Sequence, residues 1–257
     1  MSELNDGGGR SVKAVQTSCE ILEELLERGS AGVTELSDSL GYSKATIHGH
    51  LSTLRANELV AKEGDEYRIG LRFVGYGERA KRNVQIYEVA KEEVDKLAAE
   101  TGEVAQVMVE EHGRGVYLHK SEGEHSVQTA AYPGTRNYLH CTALGKAILA
   151  HLPEERVDAI LDRHGQPAVT EHTITDRDEL KAELEAVRDR GIAVDNEEIL
   201  QGLRCIAAPL HGNDGTLYGA ISVSGPTSRM KGERFEETLP EALRSAANVI
   251  QINAMQA

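Results

Sequence analysis

Tryptophan is absent from this chain, lysine supplies only 10 of the 28 basic residues, and cysteine occurs three times, as Cys19, Cys141 and Cys205. An odd number of widely separated cysteines does not make a disulfide framework. Without a Cys-x-x-Cys pair there is no signature of a structural zinc either. All three are expected to be reduced. Cys19 falls in register with Val12, Val15 and Leu22, which predicts a place in a packed core. No run approaches the roughly 18 apolar residues that would span a bilayer. The opening MSELNDGGGR lacks the basic start and apolar centre of a secretory signal and reads as a short flexible tail over residues 1–10. A cytoplasmic protein with no membrane partner is expected.

What is present is enough for two domains. The chain has 257 residues, 40% of them hydrophobic, and carries a formal net charge of −14. The charge is uneven. Residues 1–82 hold 11 Lys+Arg against 13 Asp+Glu, a balance of −2, so the remaining −12 lies beyond them. Strong negative charge favours solubility at some cost in self-repulsion, a balance that halophilic proteins exploit. A salt-loving source and an ordinary acidic protein both fit.

In the first part apolar residues recur at 12, 15, 19, 22 and 25/26, the spacing of an amphipathic helix. A break at 28–32 leads to a short helix in VTELSDSL. Ser43 is placed to cap a third helix, Lys44 to Ala56, with Ile47, Leu51 and Leu54 inward. LVAKEGDEYRIG then alternates around a Gly-Asp turn and predicts a hairpin. This is the order of a winged helix-turn-helix, whose third helix enters the major groove and whose hairpin wing lies along the backbone. Ser43 and Lys44 suit a phosphate, Thr46, His48 and Ser52 suit base edges, and Arg55 suits phosphate or guanine. Lys62 and Arg68 are backbone candidates in the wing. From Leu40 through Lys62 the local balance is +2, with Glu58 the only acid. Double-stranded DNA is the expected partner. Solvated helices also carry such residues, and helix-turn-helix units also bind proteins. Gly49 inside the third helix costs about 1 kcal/mol relative to alanine, which close approach to DNA or simple drift would explain.

After a connector, LRFVGYGERAKRN, a helix is predicted over 85–100 with Ile86, Ala90, Val94 and Leu97 inward. VAQVMVEE, GVYLHKS and SVQTAAY read as strands. Helices follow in TALGKAILAHL (Thr142 as cap), PEERVDAIL and DELKAELEAVRDR. GIAVD, RCIAAPLHG and TLYGAISVSG return to strands, and residues 234–254 close the chain as one long helix. Mixed rather than alternating order predicts an α+β domain over 83–257, joined by a linker helix to the DNA-binding domain at 11–82.

Several chemistries are weighed for this second domain. ALGKA at 143–147 is not a phosphate loop, since His140 and Ala147 occupy positions that require Gly and Ser or Thr. Cys205 as a thiol nucleophile or redox sensor lacks an identifiable base and sits in an apolar run. His140, Cys141 and Cys205 have no metal-ligand spacing, so no metal or cofactor is expected. A pocket is more economical. Ser222 and Ser224 share one face of a strand, Thr142 opens a helix whose free N–H groups favour an anion, and Asp195 and Cys205 flank the same region. A serine pair can also simply pad a sheet.

GYSKATIHGHLSTL, LHCTALGKAILAHL, GIAVDNEE, GLRCIAAPL and GAISVSGP, in that order, resemble the IclR family of transcriptional regulators over nearly the whole chain. The resemblance implies a GAF-like effector domain, a homodimer or a dimer of dimers, no enzymatic activity, and a small metabolite that alters DNA affinity. That metabolite would be an organic acid, a hydroxy acid or a sugar-catabolic intermediate. Together with the acidity it points to a halophilic archaeon. Carried over by motif, the effector site involves the backbone at Ala143 and Leu144 with Asp195, Cys205, Ser222 and Ser224. Two departures stand out: Gly49 sits where many relatives have arginine, and Leu144 replaces smaller residues. An architectural DNA-binding protein without an effector is a further reading of the same residues.

Overall fold

The computed structural model describes residues 11–212 and 214–254, and the tail expected over residues 1–10 lies outside them. The chain divides into two units, Met1–Ala80 and Lys81–Ala257.

In the first unit, α1 (Lys13–Arg28) ends where Gly29 adopts φ 83° and returns its N–H to Leu25 O. The short β1 (Ala31–Gly32) leads into α2 (Val33–Leu40), where Glu35 Oε2 accepts the Gly32 N–H at 2.8 Å. In α3 (Lys44–Ala56) Ser43 is the cap, its Oγ accepting the Thr46 N–H at 3.1 Å. β2 (Val60–Glu63) and β3 (Glu66–Ile69) form the wing, and β1 adds to its outer edge in the order β1-β3-β2. Ile21, Leu25, Leu36, Ile47, Leu51, Leu54, Val60 and Tyr67 make the core.

The expected burial of Cys19 is not met: it is exposed, as are Val12 and Val15. The face of α1 that packs inward carries Thr17, Ile21 and Leu25. The helix has two apolar stripes, and periodicity cannot say which one the fold covers. α4 (Arg72–Arg82) follows, with no residue buried.

The second unit is a six-stranded antiparallel sheet with helices on both faces. α5 (Tyr87–Thr101) precedes β4 (Val104–Glu111) and β5 (Arg114–Glu122), and β6 (Arg136–Asn137) pairs with the edge of β5. Then come α6 (Ala143–Leu149), α7 (Glu154–His164) and α8 (Arg177–Arg190), then β7 (Ala193–Asn196), β8 (Leu203–His211) and β9 (Leu217–Pro226). α9 (Leu239–Ala254) closes the described chain. The strand order is β6-β5-β4-β9-β8-β7. Alternate strand residues face opposite sides. Ala105, Val107, Ile206, Ala208, Ile221 and Val223 pack with α5 and α9. Met108, Cys205, Ala207 and Ala220 pack with α6, α7 and α8.

Two local expectations are corrected. Residues 126–132 are not a strand but an irregular segment, held to the β5 region by Lys120 Nζ on Thr129 O (3.2 Å) and by Gly134 N–H on Tyr117 O (2.8 Å). Only Arg136 and Asn137 pair in register there. The last helix is not uniform either, since Arg234–Thr238 is a π-helical turn ahead of α9. Pro240 explains it: the ring has no N–H and crowds the carbonyl four residues back, so the turn before it widens.

Candidate effector cavity and DNA-reading face

On α3, Lys44, Thr46, His48, Ser52 and Arg55 are all exposed, on the helix whose other side buries Ile47, Leu51 and Leu54. Ser43 is partly committed to its capping role, with Oγ also 2.9 Å from Thr46 Oγ1. Gly49 lies on the exposed side, and a Cβ built there meets nothing within 4 Å, so the fold itself does not require glycine. His48 and Lys62 line one open groove together with Glu35, Asp65 and Glu66. Lys62 Nζ lies 5.4 Å from the Tyr67 ring centroid. Arg68 Nε lies 3.7 Å from Glu63 Oε2, which offsets part of its charge. The wing tip, Glu63-Gly64-Asp65-Glu66, is therefore acidic, a feature visible in the sequence that the balance ending at Lys62 leaves out.

In the second unit one row across three strands brings the polar residues together. Asp195 on β7 is paired with Cys205 on β8, and Cys205 with Ser224 on β9. One step along the same face, Ser222 is paired with Gln106 on β4. These residues floor a cavity of about 270 Å3 that Ala143 and Leu144 also line, so all six expected positions border one space. Further lining comes from Tyr117, Asn137, Thr129, Ile199, Leu200 and Leu203. Gln106 and Tyr117 had a signal: each is a polar or aromatic residue inside an apolar alternating run. Thr129 had none, because its segment reads as a strand and is not one.

α6 is held close by Gly145, where a Cβ would come within 2.1 Å of Leu139 O. Thr142 Oγ1 accepts the Gly145 N–H at 2.9 Å. The first-turn N–H groups of Ala143 and Leu144 have no carbonyl within the helix to meet. Lys146 of the ALGKA motif is buried and forms an ion pair with Glu198 Oε1. His140 Nε2–H donates to Pro167 O (3.1 Å), and burial holds its imidazole below the ordinary histidine range.

The cavity's electrostatics follow from burial. Asp195 is fully buried, and loss of water pushes its carboxyl up to about 7, against the pull of the Glu198 N–H on Oδ1 at 2.7 Å. Burial also raises the Cys205 thiol well above its ordinary value, with the Asp195 charge adding to the rise. Such a thiol is protonated at neutral pH and a poor nucleophile. Three side-chain oxygens bordering the cavity, Asp195 Oδ2, Ser222 Oγ and Thr129 Oγ1, are buried without a hydrogen-bond partner. No cluster of three metal-binding side chains occurs among the described residues, and none of their helices is long and apolar enough to cross a membrane.

A winged helix-turn-helix followed by an α+β unit with a polar-floored cavity defines a regulator that reads DNA and carries a separate ligand-sized site. Residues 79–252 match the family model "Bacterial transcriptional regulator IclR C-terminal", and residues 16–62 match "Bacterial regulatory protein, arsR family", a helix-turn-helix description. The chain belongs to the IclR family and is a DNA-binding transcriptional regulator. It is 34% identical to the probable HTH-type transcriptional regulator ArcR of Halobacterium salinarum over 96% of both chains. It is also 34% identical to KdgR of Escherichia coli over 88% of this chain and 87% of that one. The crystal structure of Thermotoga maritima IclR superposes with a TM-score of 0.77 at 28% identity, covering 94% of this chain and 98% of that one. An IclR homologue from Microbacterium hydrocarbonoxydans, solved with 4-hydroxybenzoate, shares the fold at a TM-score of 0.82 and 20% identity, over 95% and 100% of the chains.

Proposed function

We propose that the cavity beside Asp195 binds a small oxygen-bearing metabolite whose occupancy controls the chain's affinity for an operator. The observation that carries this is the set of unpartnered oxygens, Asp195 Oδ2, Ser222 Oγ and Thr129 Oγ1, bordering one cavity. Buried polar groups without partners are rare and costly, so a ligand that satisfies them has a driving force to enter. Leu144, Ile199, Leu200 and Leu203 cover its apolar part. A hydroxy acid or sugar-derived acid suits the site: its hydroxyl donates to Asp195 when that carboxyl is ionised, where a bare dicarboxylate is repelled. Tight binding through Asp195 of an effector lacking any hydroxyl or N–H donor would count against this chemistry.

Ser43 and Lys44 hold a phosphate at the start of α3, Thr46, His48 and Ser52 read base edges in the major groove, Arg55 reaches phosphate or guanine, and Lys62 and Arg68 hold the backbone from the wing. The chain works as a homodimer or a dimer of dimers. The exposed Val12 just ahead of α1 and Val15 and Leu26 on it, with Leu71, Val74 and Tyr76 just beyond the wing, supply apolar surface for self-association. It has no enzymatic role and acts in the cytoplasm of a salt-adapted cell. The redox alternative is disfavoured by the protonated, buried Cys205. Cys205→Ser separates the two readings, since a sensor loses its oxidant response whereas a ligand pocket only shifts its affinity.

The test is selection of bound fragments from a random DNA pool by the full chain in dilute and in molar KCl. A two-fold symmetric motif establishes a dimeric sequence reader and supplies the site on which metabolites are screened for release. No motif at either salt defeats the reading-face assignment. A motif that no oxygen-bearing metabolite perturbs defeats the effector assignment and favours an architectural role.

A further inference from the structure

The charge balance of the cavity is set from behind it. Lys146 is the one lysine or arginine buried among the described residues, and it does not line the cavity. Its ammonium meets Glu198 Oε1 directly and lies 3.7 Å from Glu183 Oε1, while Arg190 holds Glu183 at 2.6 Å. Two cations thus serve two glutamates, and Asp195 is left over. Its Oδ1 receives the Glu198 N–H at 2.7 Å and its Oδ2 has no partner. The Glu198 carbonyl is itself fixed by Thr173 Oγ1 at 2.8 Å and Thr170 Oγ1 at 3.2 Å, so Glu198 is anchored through both its N–H and its C=O.

We propose that Glu198 is a positioning residue for the effector: by occupying Lys146 and holding Asp195 Oδ1, it leaves Asp195 as the surplus carboxyl of the cavity, with one free oxygen able to share a proton with a bound ligand. This rests on the effector reading above. The ionisable groups that shift Asp195 are Glu198 after β7 and Lys146 on α6. Its charge in turn acts on Cys205 on β8, Tyr117 on β5 and Cys141 before α6. Burial raises Tyr117 and both thiols above their ordinary values, Cys141 to about 12, so none of these three is an anion at neutral pH. Burial raises Asp195 first, and the Glu198 charge adds to the rise while Lys146 opposes it. Below its midpoint Asp195 donates to a ligand carboxylate or carbonyl. Above it, Asp195 accepts from a ligand hydroxyl. A hydroxy acid therefore keeps a partner for Asp195 in both states, which a ligand with acceptors alone does not.

The experiment needs no ligand. The full chain, labelled with 13C at the aspartate carboxyl, is titrated by NMR, and Asp195→Asn identifies the Asp195 signal. In the unaltered chain Asp195 is expected to titrate near neutrality. In Glu198→Gln, Lys146 is released toward Asp195, and the midpoint is expected to fall by about one pH unit or more. Glu198→Met is prepared alongside, as a second way to remove the charge should the glutamine variant fail to fold. An Asp195 midpoint in the ordinary carboxylate range, about 4, in the unaltered chain overturns the proposal outright. So does an unmoved midpoint in a folded Glu198 variant, which is what a purely structural ion pair gives. Failure of the effector reading would instead appear in the DNA-release screen, where no metabolite acts.

Discussion

The two units place their working residues in opposite environments. On α3 the residues assigned to DNA are exposed and rest on a core they do not belong to, so they can change with little effect on folding. In the second unit the six cavity residues are all buried, and three side-chain oxygens around the space lack partners. A reading face can be polar because water satisfies it until DNA arrives. A cavity floor is polar at a cost that a ligand or enclosed water has to offset. Function and stability are therefore separable in the first unit and entangled in the second.

The contrast is broken most severely at Lys146. Replacing one partner of a buried ion pair leaves the other charge stranded, so Lys146→Met is expected to lose about 3–5 kcal/mol, measured by denaturant unfolding. Lys146→Met with Glu198→Leu together should recover most of that loss, because an apolar pair of similar volume is often neutral. An equal loss in both variants would show that packing, not charge, is at stake.

A smaller effect, and one that depends on pH, is expected at Asp195. Its folded carboxyl titrates at about 7 against an ordinary value of 3.8, so between these values the folded chain holds a proton that the unfolded chain releases. That contribution to stability is complete below about pH 4 and is lost as pH rises through 7, at about 1.4 kcal/mol for each pH unit crossed. Unfolding of Asp195→Asn across this range is expected to show a flatter profile than the unaltered chain. Parallel profiles would mean that Asp195 ionises normally.

On the exposed helix the effects shrink. Gly49→Ala should raise stability by about 1 kcal/mol, since the added Cβ meets nothing and alanine is the better helix former. Thermal melts read this directly, and a loss would show that the glycine serves the fold. Lys44→Ala should leave stability within about 0.5 kcal/mol. It should weaken DNA binding in dilute buffer much more than in concentrated KCl, with a salt slope reduced by about one. Equal losses at both salts would remove Lys44 from the phosphate contacts.

Much of this arrangement was legible in the sequence because its signals are local. Ser43 as a cap, the Ile47, Leu51 and Leu54 stripe, and the Gly-Asp turn each lie within a few residues of what they determine. Ser222 and Ser224 share a face by strand geometry alone, and the family motifs lead to the same pair. The misses are of another kind. Cys19 and Thr17 exchange places because α1 offers two apolar stripes and only the tertiary fold selects between them. Residues 126–132 alternate like a strand, yet β5 is paired there only at Arg136 and Asn137, and the preceding segment becomes cavity wall. The Lys146–Glu198 pair joins positions 52 apart, and no local pattern reports it.

Gly145 has a consequence for how such a cavity changes over evolutionary time. A methyl group there would collide with the backbone at Leu139, so α6 is pinned, and the sheet floor is fixed by its ladder of hydrogen bonds. Ala130, Ala131 and Leu200 belong to neither, lying in segments outside the strands and helices. New ligand preferences are thus cheapest to reach through these three positions and Leu144. A lineage can diversify its metabolite there while the scaffold that senses it stays constant.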